Sequence, residues 1–211
     1  MNAGARMEQF EGLVRAIVSG DVEAAGKMLR TAPHLATEQA ACGASRQAAE
    51  NHFYGEIRHY MYQGDTALHM AAAAHQVLIA ADLIAMGADV RARNRRGAEP
   101  VHYAADGAPG SPAWNPAAQA ATIRCLIAAG ADPNAMDKSG VAPLHRAVRM
   151  RCAAAVKALL DGGADPRTPN RNGSTPVRLA MLTTGHSGAG SAAAKAQQSE
   201  ILRLLDEHGA V

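Results

Sequence analysis

Helix-forming apolar runs alternate along this chain with short polar punctuation, and the punctuation recurs in register. Gly64, Gly97, Gly140 and Gly173 are each followed three residues later by Ala67, Pro100, Pro143 and Pro176, then by an aliphatic residue and, except in the last, by His. The strings are GDTALHMAAA, GAEPVHYAAD, GVAPLHRAVR and GSTPVRLAML. A second series lies downstream of each: IAMGADV at 84–90, IAAGADP at 127–133, LDGGADP at 160–166 and DEHGAV at 206–211. A capping or small residue followed by Pro starts a helix, because Pro there has a preset φ and no amide donor to leave unpaired. Thr66 and Thr175 are good caps; Glu99 and Ala142 are poorer. The glycine of each GAD string suits the left-handed conformation that ends a helix, and the Asp or Asn with Gly further on makes a turn. Each unit is therefore predicted as helix, short turn, helix, extended turn.

The period is 33 residues from Gly64 to Gly97 and again from Gly140 to Gly173. From first to second glycine the distance is 23 in the units starting at Gly64 and Gly140, but 33 from Gly97 to Gly130 and 36 from Gly173 to Gly209. Two units thus carry insertions of 10 and 13 residues, which fall within DGAPGSPAWNP at 106–116 and TTGHSGAGSAAAKAQ at about 183–197. Upstream, LVRAIVSGDVEAAGKMLRTAPHLA at 13–36 reads as two short helices parted by Ser19, Gly20 and Asp21.

These strings resemble the ankyrin repeat, whose pattern runs Thr-Pro-Leu-His-x-Ala and later Gly-Ala-Asp. The resemblance covers Gly64 to Val211 and implies an all-α fold, an ankyrin-repeat solenoid of stacked helix-turn-helix units with extended β-hairpin-like turns. On this reading residues 1–211 form a single domain. A degenerate N-terminal capping repeat at 1–36 and an aromatic-containing insertion at 37–63 precede repeats at 64–97, 98–140, 141–173 and 174–211. The middle units lack the Thr of the pattern and Arg178 replaces the fourth His, so hydrogen bonding between units is expected to be weakest there. The 37–63 segment, with HFYGEIRHYMYQ, holds one of two Phe and three of four Tyr, and is expected to fold back on the stack.

Composition narrows the function classes. Aromatics are only 3% of the residues, so the core is expected to be built from Ala, Leu, Val, Ile and Met. Twenty-one Lys and Arg against 19 Asp and Glu leave a net charge of +2, far from the basic balance of a general nucleic-acid binder. Cys42, Cys125 and Cys152 form no C-x-x-C pair and read as reduced thiols. No segment has the apolar length of a signal peptide or a membrane span. These features predict a cytoplasmic chain with no membrane or specific nucleic-acid partner and no cofactor; they leave the oligomeric state open, with a monomer favoured.

Candidate chemistry is sparse. His69, His102 and His145 recur at one helical position; successive units in a stack lie about 10 Å apart, too far to share a metal ion. They are expected to join units by hydrogen bonds. GHSGAG at 185–190 nearly spells a nucleophile elbow, but Ala189 stands where the second glycine belongs and no strand precedes it. His52, His59 and Cys42 match no zinc spacing. A hydrolase or metal-dependent enzyme using His186 and Ser187 or His52 and His59 is one alternative reading; a structural element of a larger assembly is another.

The favoured function is a protein-protein interaction module without catalysis. If turns stack as in the ankyrin family, Arg91, Arg93, Arg95, Arg96, Lys138, Arg167 and Arg171 form one cationic ridge, suited to an acidic protein surface or a phosphorylated ligand. The same resemblance places the position after each His, and the one three residues on, on the concave side. These are Met70 and Ala73, Tyr103 and Asp106, Arg146 and Arg149, Leu179 and Leu182, with Tyr103, Arg146 and Arg149 the foremost contact residues. Trp114, in the first insertion, either anchors a partner or covers repeat core.

Overall fold

A computed structural model of the chain describes residues 3–107, 109, 114–182 and 192–210. Helices come in antiparallel pairs: α1 (Ala3–Ser19) with α2 (Val22–Thr31), α3 (Ala67–Ala73) with α4 (Val77–Ala85), α5 (Pro100–Ala104) with α6 (Pro116–Ala128), α7 (Pro143–Arg149) with α8 (Ala153–Asp161), and α9 (Pro176–Met181) with α10 (Ala192–Glu207). The first members stack on one another in an inner row and the second members in an outer row. The result is an all-α solenoid, as the resemblance implies. The core between the rows is aliphatic, with Leu68, Leu83, Val101, Ile123, Leu126, Leu159 and Leu205 among its buried residues. Each such side chain contributes roughly 1.5–3 kcal/mol by leaving water. Among the described residues no helix is long and apolar enough to cross a membrane.

The turns between pairs form hairpin-like arches with one chemistry. In each, the side-chain Oδ1 of Asn94, Asp137 or Asn170 accepts two backbone N–H groups ahead of it, from Arg96 and Ala98, from Ser139 and Val141, and from Asn172 and Ser174, at 2.8–3.1 Å. The glycine that closes the arch then takes a positive φ, +75° at Gly97 and +67° at Gly140, which a side chain would strain. Adjacent arches bond backbone to backbone: Gly64 N–H donates to the Ala40 carbonyl, Arg95 to Gln63 and Lys138 to Arg96, at 2.8–2.9 Å. These bonds lay the turns side by side.

Histidine joins the units a second time. The Nδ1 of His69, His102 and His145 accepts the backbone N–H of Thr66, Glu99 and Ala142 at 3.1, 3.1 and 3.2 Å. That acceptance leaves Nε2 as the protonated nitrogen, and it donates across to the carbonyl of Ala98, Val141 and Ser174 in the next unit. Loss of Thr from the middle units does not break the ladder, because the backbone amide still supplies the bond; what those units lack is the added contact of a hydroxyl such as Thr66 Oγ1, 3.0 Å from His69 Nδ1. The ladder ends at Ser174, and Arg178 takes no part in it.

Between the helices of a pair, His75 and Arg151 adopt φ of +54° and +61° and reach into the following unit. His75 Nε2 donates to the Asp106 carbonyl at 3.0 Å. Arg151, 2% exposed, donates to the carbonyls of Ala180 and Leu182 at the C-terminal end of α9, where a cation also meets the negative end of the helix dipole.

The 37–63 segment folds back over the start of the stack. Gln39 bridges to Thr66 beside the first arch, and Met61 is buried in the core. A two-residue hairpin, β1 (Phe53–Tyr54) with β2 (His59–Tyr60), pairs Phe53 with Tyr60 and Tyr54 with His59. It carries a ring onto α5: the His59 imidazole lies 4.4 Å from the Tyr103 phenol ring, centroid to centroid.

Candidate functional site

Four elements meet at a polar cleft of about 170 Å³: the hairpin with His59, Tyr60 and Tyr62; the arch with Asn94 and Arg96; the end of α5 with Tyr103 and Asp106; and α7 with Arg146 and Arg149. Pro100 and Pro143 start their helices at equivalent points, so Tyr103 and Arg146 occupy matching positions and face the same side. The hairpin closes the opposite wall.

Beneath the cleft lies a buried polar network. One Asp65 carboxylate oxygen accepts from the Tyr62 backbone N–H at 2.6 Å and from the Tyr103 hydroxyl at 2.8 Å, and the other from Asn94 Nδ2 at 2.8 Å. Burial and the adjacent Asp65 carboxylate push the Tyr103 hydroxyl far above its ordinary pKa, so it stays a donor. A second chain of charges forms the floor: Arg146 donates to Asp106 at 3.0 Å and to Asp137 at 3.1 Å, and His59 Nε2 lies 3.4 Å from the same Asp106 oxygen. Burial pushes the Asp106 carboxyl up, but Arg146 and His59 outweigh it and bring it down to about 2. Asp106 is ionised at neutral pH, and Arg146 is neutralised by two carboxylates.

Arg96 and Arg149 differ from Arg146. Both are exposed on the cleft rim, and neither has a carboxylate partner among the described residues. The Arg96 guanidinium is held over the Tyr62 ring, 4.8 Å from its centroid.

Met70 and Tyr103, expected on the concave surface, are 0% and 1% exposed. Hairpin and arch cover Tyr103, whose ring also meets His69 edge-on at 5.1 Å. Asp106 and Arg146 form the floor, and of the three foremost residues only Arg149 is fully open. The turn cations Arg91, Arg93, Arg95, Arg96, Lys138, Arg167 and Arg171 are exposed along the stacked arches. Several are already engaged: Arg91 with Asp132 at 3.5 Å, Arg93 with the buried Glu99 at 3.0 Å, and Arg167 with Asp165 at 3.7 Å. Arg95 and Lys138 donate to the carbonyls of Ala44 and Arg95, which leaves their charge uncompensated. Trp114 is half-buried against the core and donates to Gln119 Oε1 at 2.9 Å.

Sequence reasoning missed Asp65, Asn94 and Asp137, which read as turn residues, and did not join His59, Tyr60 and Tyr62 to the concave face. The aromatic crowding of 52–62 marked the segment, yet no periodic signal says where a hairpin outside the repeat will land. Other chemistry stays scattered. His59 has both ring nitrogens facing acceptors, Asp106 and the Tyr60 carbonyl. Among the described residues no group of three His, Cys, Asp or Glu is placed to hold a metal ion. Burial pushes the Cys152 thiol up to about 12, which makes it inert. His186 and Ser187 lie outside the described residues.

Residues 126–180 match the family model for ankyrin repeats (many copies), and residues 63–95 match the model for a single ankyrin repeat. No curated protein matches the chain.

Proposed function

The chain is an ankyrin repeat protein, and from that premise we propose that it binds a protein partner with an acidic surface through the cleft on its inner face and the basic arches beside it. Ankyrin repeats are generally protein-protein interaction modules, and family membership supports that much of the reading. The finer assignment rests on one observation: Arg96 and Arg149 stand exposed and, among the described residues, without carboxylate partners on the rim of a cleft whose other arginine is paired with two carboxylates.

In this reading Arg96 and Arg149 make the central contacts. Arg91, Arg93, Arg95, Lys138, Arg167 and Arg171 supply a longer-range positive field that speeds encounter and falls off with salt. Tyr103, Asp106 and Arg146 act from beneath, by holding the cleft in shape. Met70 and Trp114 serve packing. No catalytic step is assigned to His59, both of whose ring nitrogens face acceptors. Three free thiols fit a cytoplasmic setting.

The test is affinity capture with the chain and with its Arg96→Ala/Arg149→Ala variant. Both side chains are exposed, so the variant should keep the helical signal of the parent while losing most of the captured partner. Undiminished capture by a folded variant would move the interface away from the cleft.

A further inference from the structure

Resting on the protein-binding reading above, we propose that the cleft is a pocket for a single carboxylate side chain of the partner, an Asp or Glu beside an apolar residue, clamped between Arg96 and Arg149. Size is the first argument. At about 170 Å³ the cleft is well below the roughly 300–1,000 Å³ of pockets that enclose small molecules, yet ample for one acidic side chain.

Charge is the second. Arg146 faces two carboxylates, Asp106 and Asp137, so that trio has no positive charge to spare and the free cations of the cleft are the two rim arginines. Arg96 lies against the Tyr62 ring, which restrains the guanidinium and leaves its N–H edge for an oxyanion. The phenols of Tyr60 and Tyr62 line the same cleft and add O–H donors. Two guanidinium groups and two phenols suit the planar, two-oxygen acceptor of a carboxylate.

A phosphoryl group fits less well. The Asp106 carboxylate forms part of the floor and is ionised at neutral pH. A group carrying nearly two negative charges would double its repulsion from Asp106 as well as its attraction to Arg96 and Arg149, so its extra charge brings no selective gain, and the planar two-oxygen shape decides for a carboxylate. The neighbouring surface fixes the second element of the motif. Phe53 and Tyr60 are 43% and 38% exposed with ring centroids 4.8 Å apart, an aromatic step at the cleft mouth in a chain with few aromatics. An aliphatic residue next to the acid would cover it.

The experiment is an NMR titration of the isotope-labelled full chain with three blocked pentapeptides, Ala-Leu-Xaa-Leu-Ala, in which Xaa is Glu, Gln or phosphoserine. The Glu peptide is expected to move the side-chain Nε–H signals of Arg96 and Arg149 and the ring signals of Tyr60. The Gln peptide should bind about tenfold more weakly or worse, because it removes the charge-assisted bonds. Arg149→Lys should weaken the Glu peptide a few-fold, and Arg96→Gln with Arg149→Gln should abolish its effect. Equal binding of the Gln peptide, tighter binding of the phosphoserine peptide, or shifts centred on Arg167 and Arg171 would overturn the assignment. Absence of any binding, with partner capture still dependent on Arg96 and Arg149, would overturn the single-carboxylate pocket while the binding module stands.

Discussion

Tyr103 occupies the position after the repeat histidine, where the ankyrin pattern offers a side chain to a partner, yet its hydroxyl ends against Asp65 and Asn94. The hairpin that covers it belongs to no repeat, so the repeat spacing carries no information about the covering. The histidines are the reverse case. Their spacing alone identified them as bonds between units, because each needs only one backbone N–H on its own helix and one carbonyl on the next. That role makes the fold pH-sensitive. Desolvation lowers the pKa of His69, His102 and His145, that of His102 to about 4. An unfolded His takes up its proton near 6.5. Between those values the unfolded chain binds more protons, so stability is full above about pH 6.5 and is lost as pH falls through 4. For His102 alone the loss approaches about 3 kcal/mol. Urea unfolding at pH 7 and pH 4.5 should show a lower midpoint at the acid value; an unchanged or higher midpoint would mean the three rings are not held neutral.

At the scale of elements, helix starts, helix ends and arches were written in the sequence as Pro, Gly and Asx residues, since each acts through its own backbone or one within a few positions. Gly140 and Gly26 separate two kinds of glycine. Gly140, at φ +67°, would bring an added Cβ to 2.9 Å from the Arg171 backbone nitrogen in the next arch. Gly26 lies inside α2, where an added Cβ would meet only the flexible end of Arg30 at 3.1 Å. Gly140→Ala should therefore destabilise by about 1 kcal/mol or more, while Gly26→Ala should stabilise by about 0.5–1 kcal/mol. Thermal unfolding of the two variants checks both signs. What could not be read was the hairpin. Its strands are two residues long, too short for a period-two signal, and its position depends on the His59 contacts with Tyr103 and Asp106, 44 and 47 residues away.

For the whole molecule, the stack turns local repetition into one continuous surface. Arches bonded edge to edge align the basic residues, and the inner helices bring α5 and α7 under the hairpin. The sequence disclosed the row of turn cations because those residues sit at fixed offsets from the repeat glycines. It could not disclose which remain available: the engagement of Arg91 by Asp132 and Arg93 by Glu99, and the neutralisation of Arg146, depend on how units and arches face one another. The account places partner contact on the inner face and leaves the outer helix row for solvent. Site-specific photo-crosslinking tests that division most directly, with a photoreactive phenylalanine in place of Tyr60 at the cleft or of Leu78, an exposed residue of α4 in the outer row. The account predicts partner adducts from position 60 and none from position 78; adducts from position 78 with none from position 60 would contradict it.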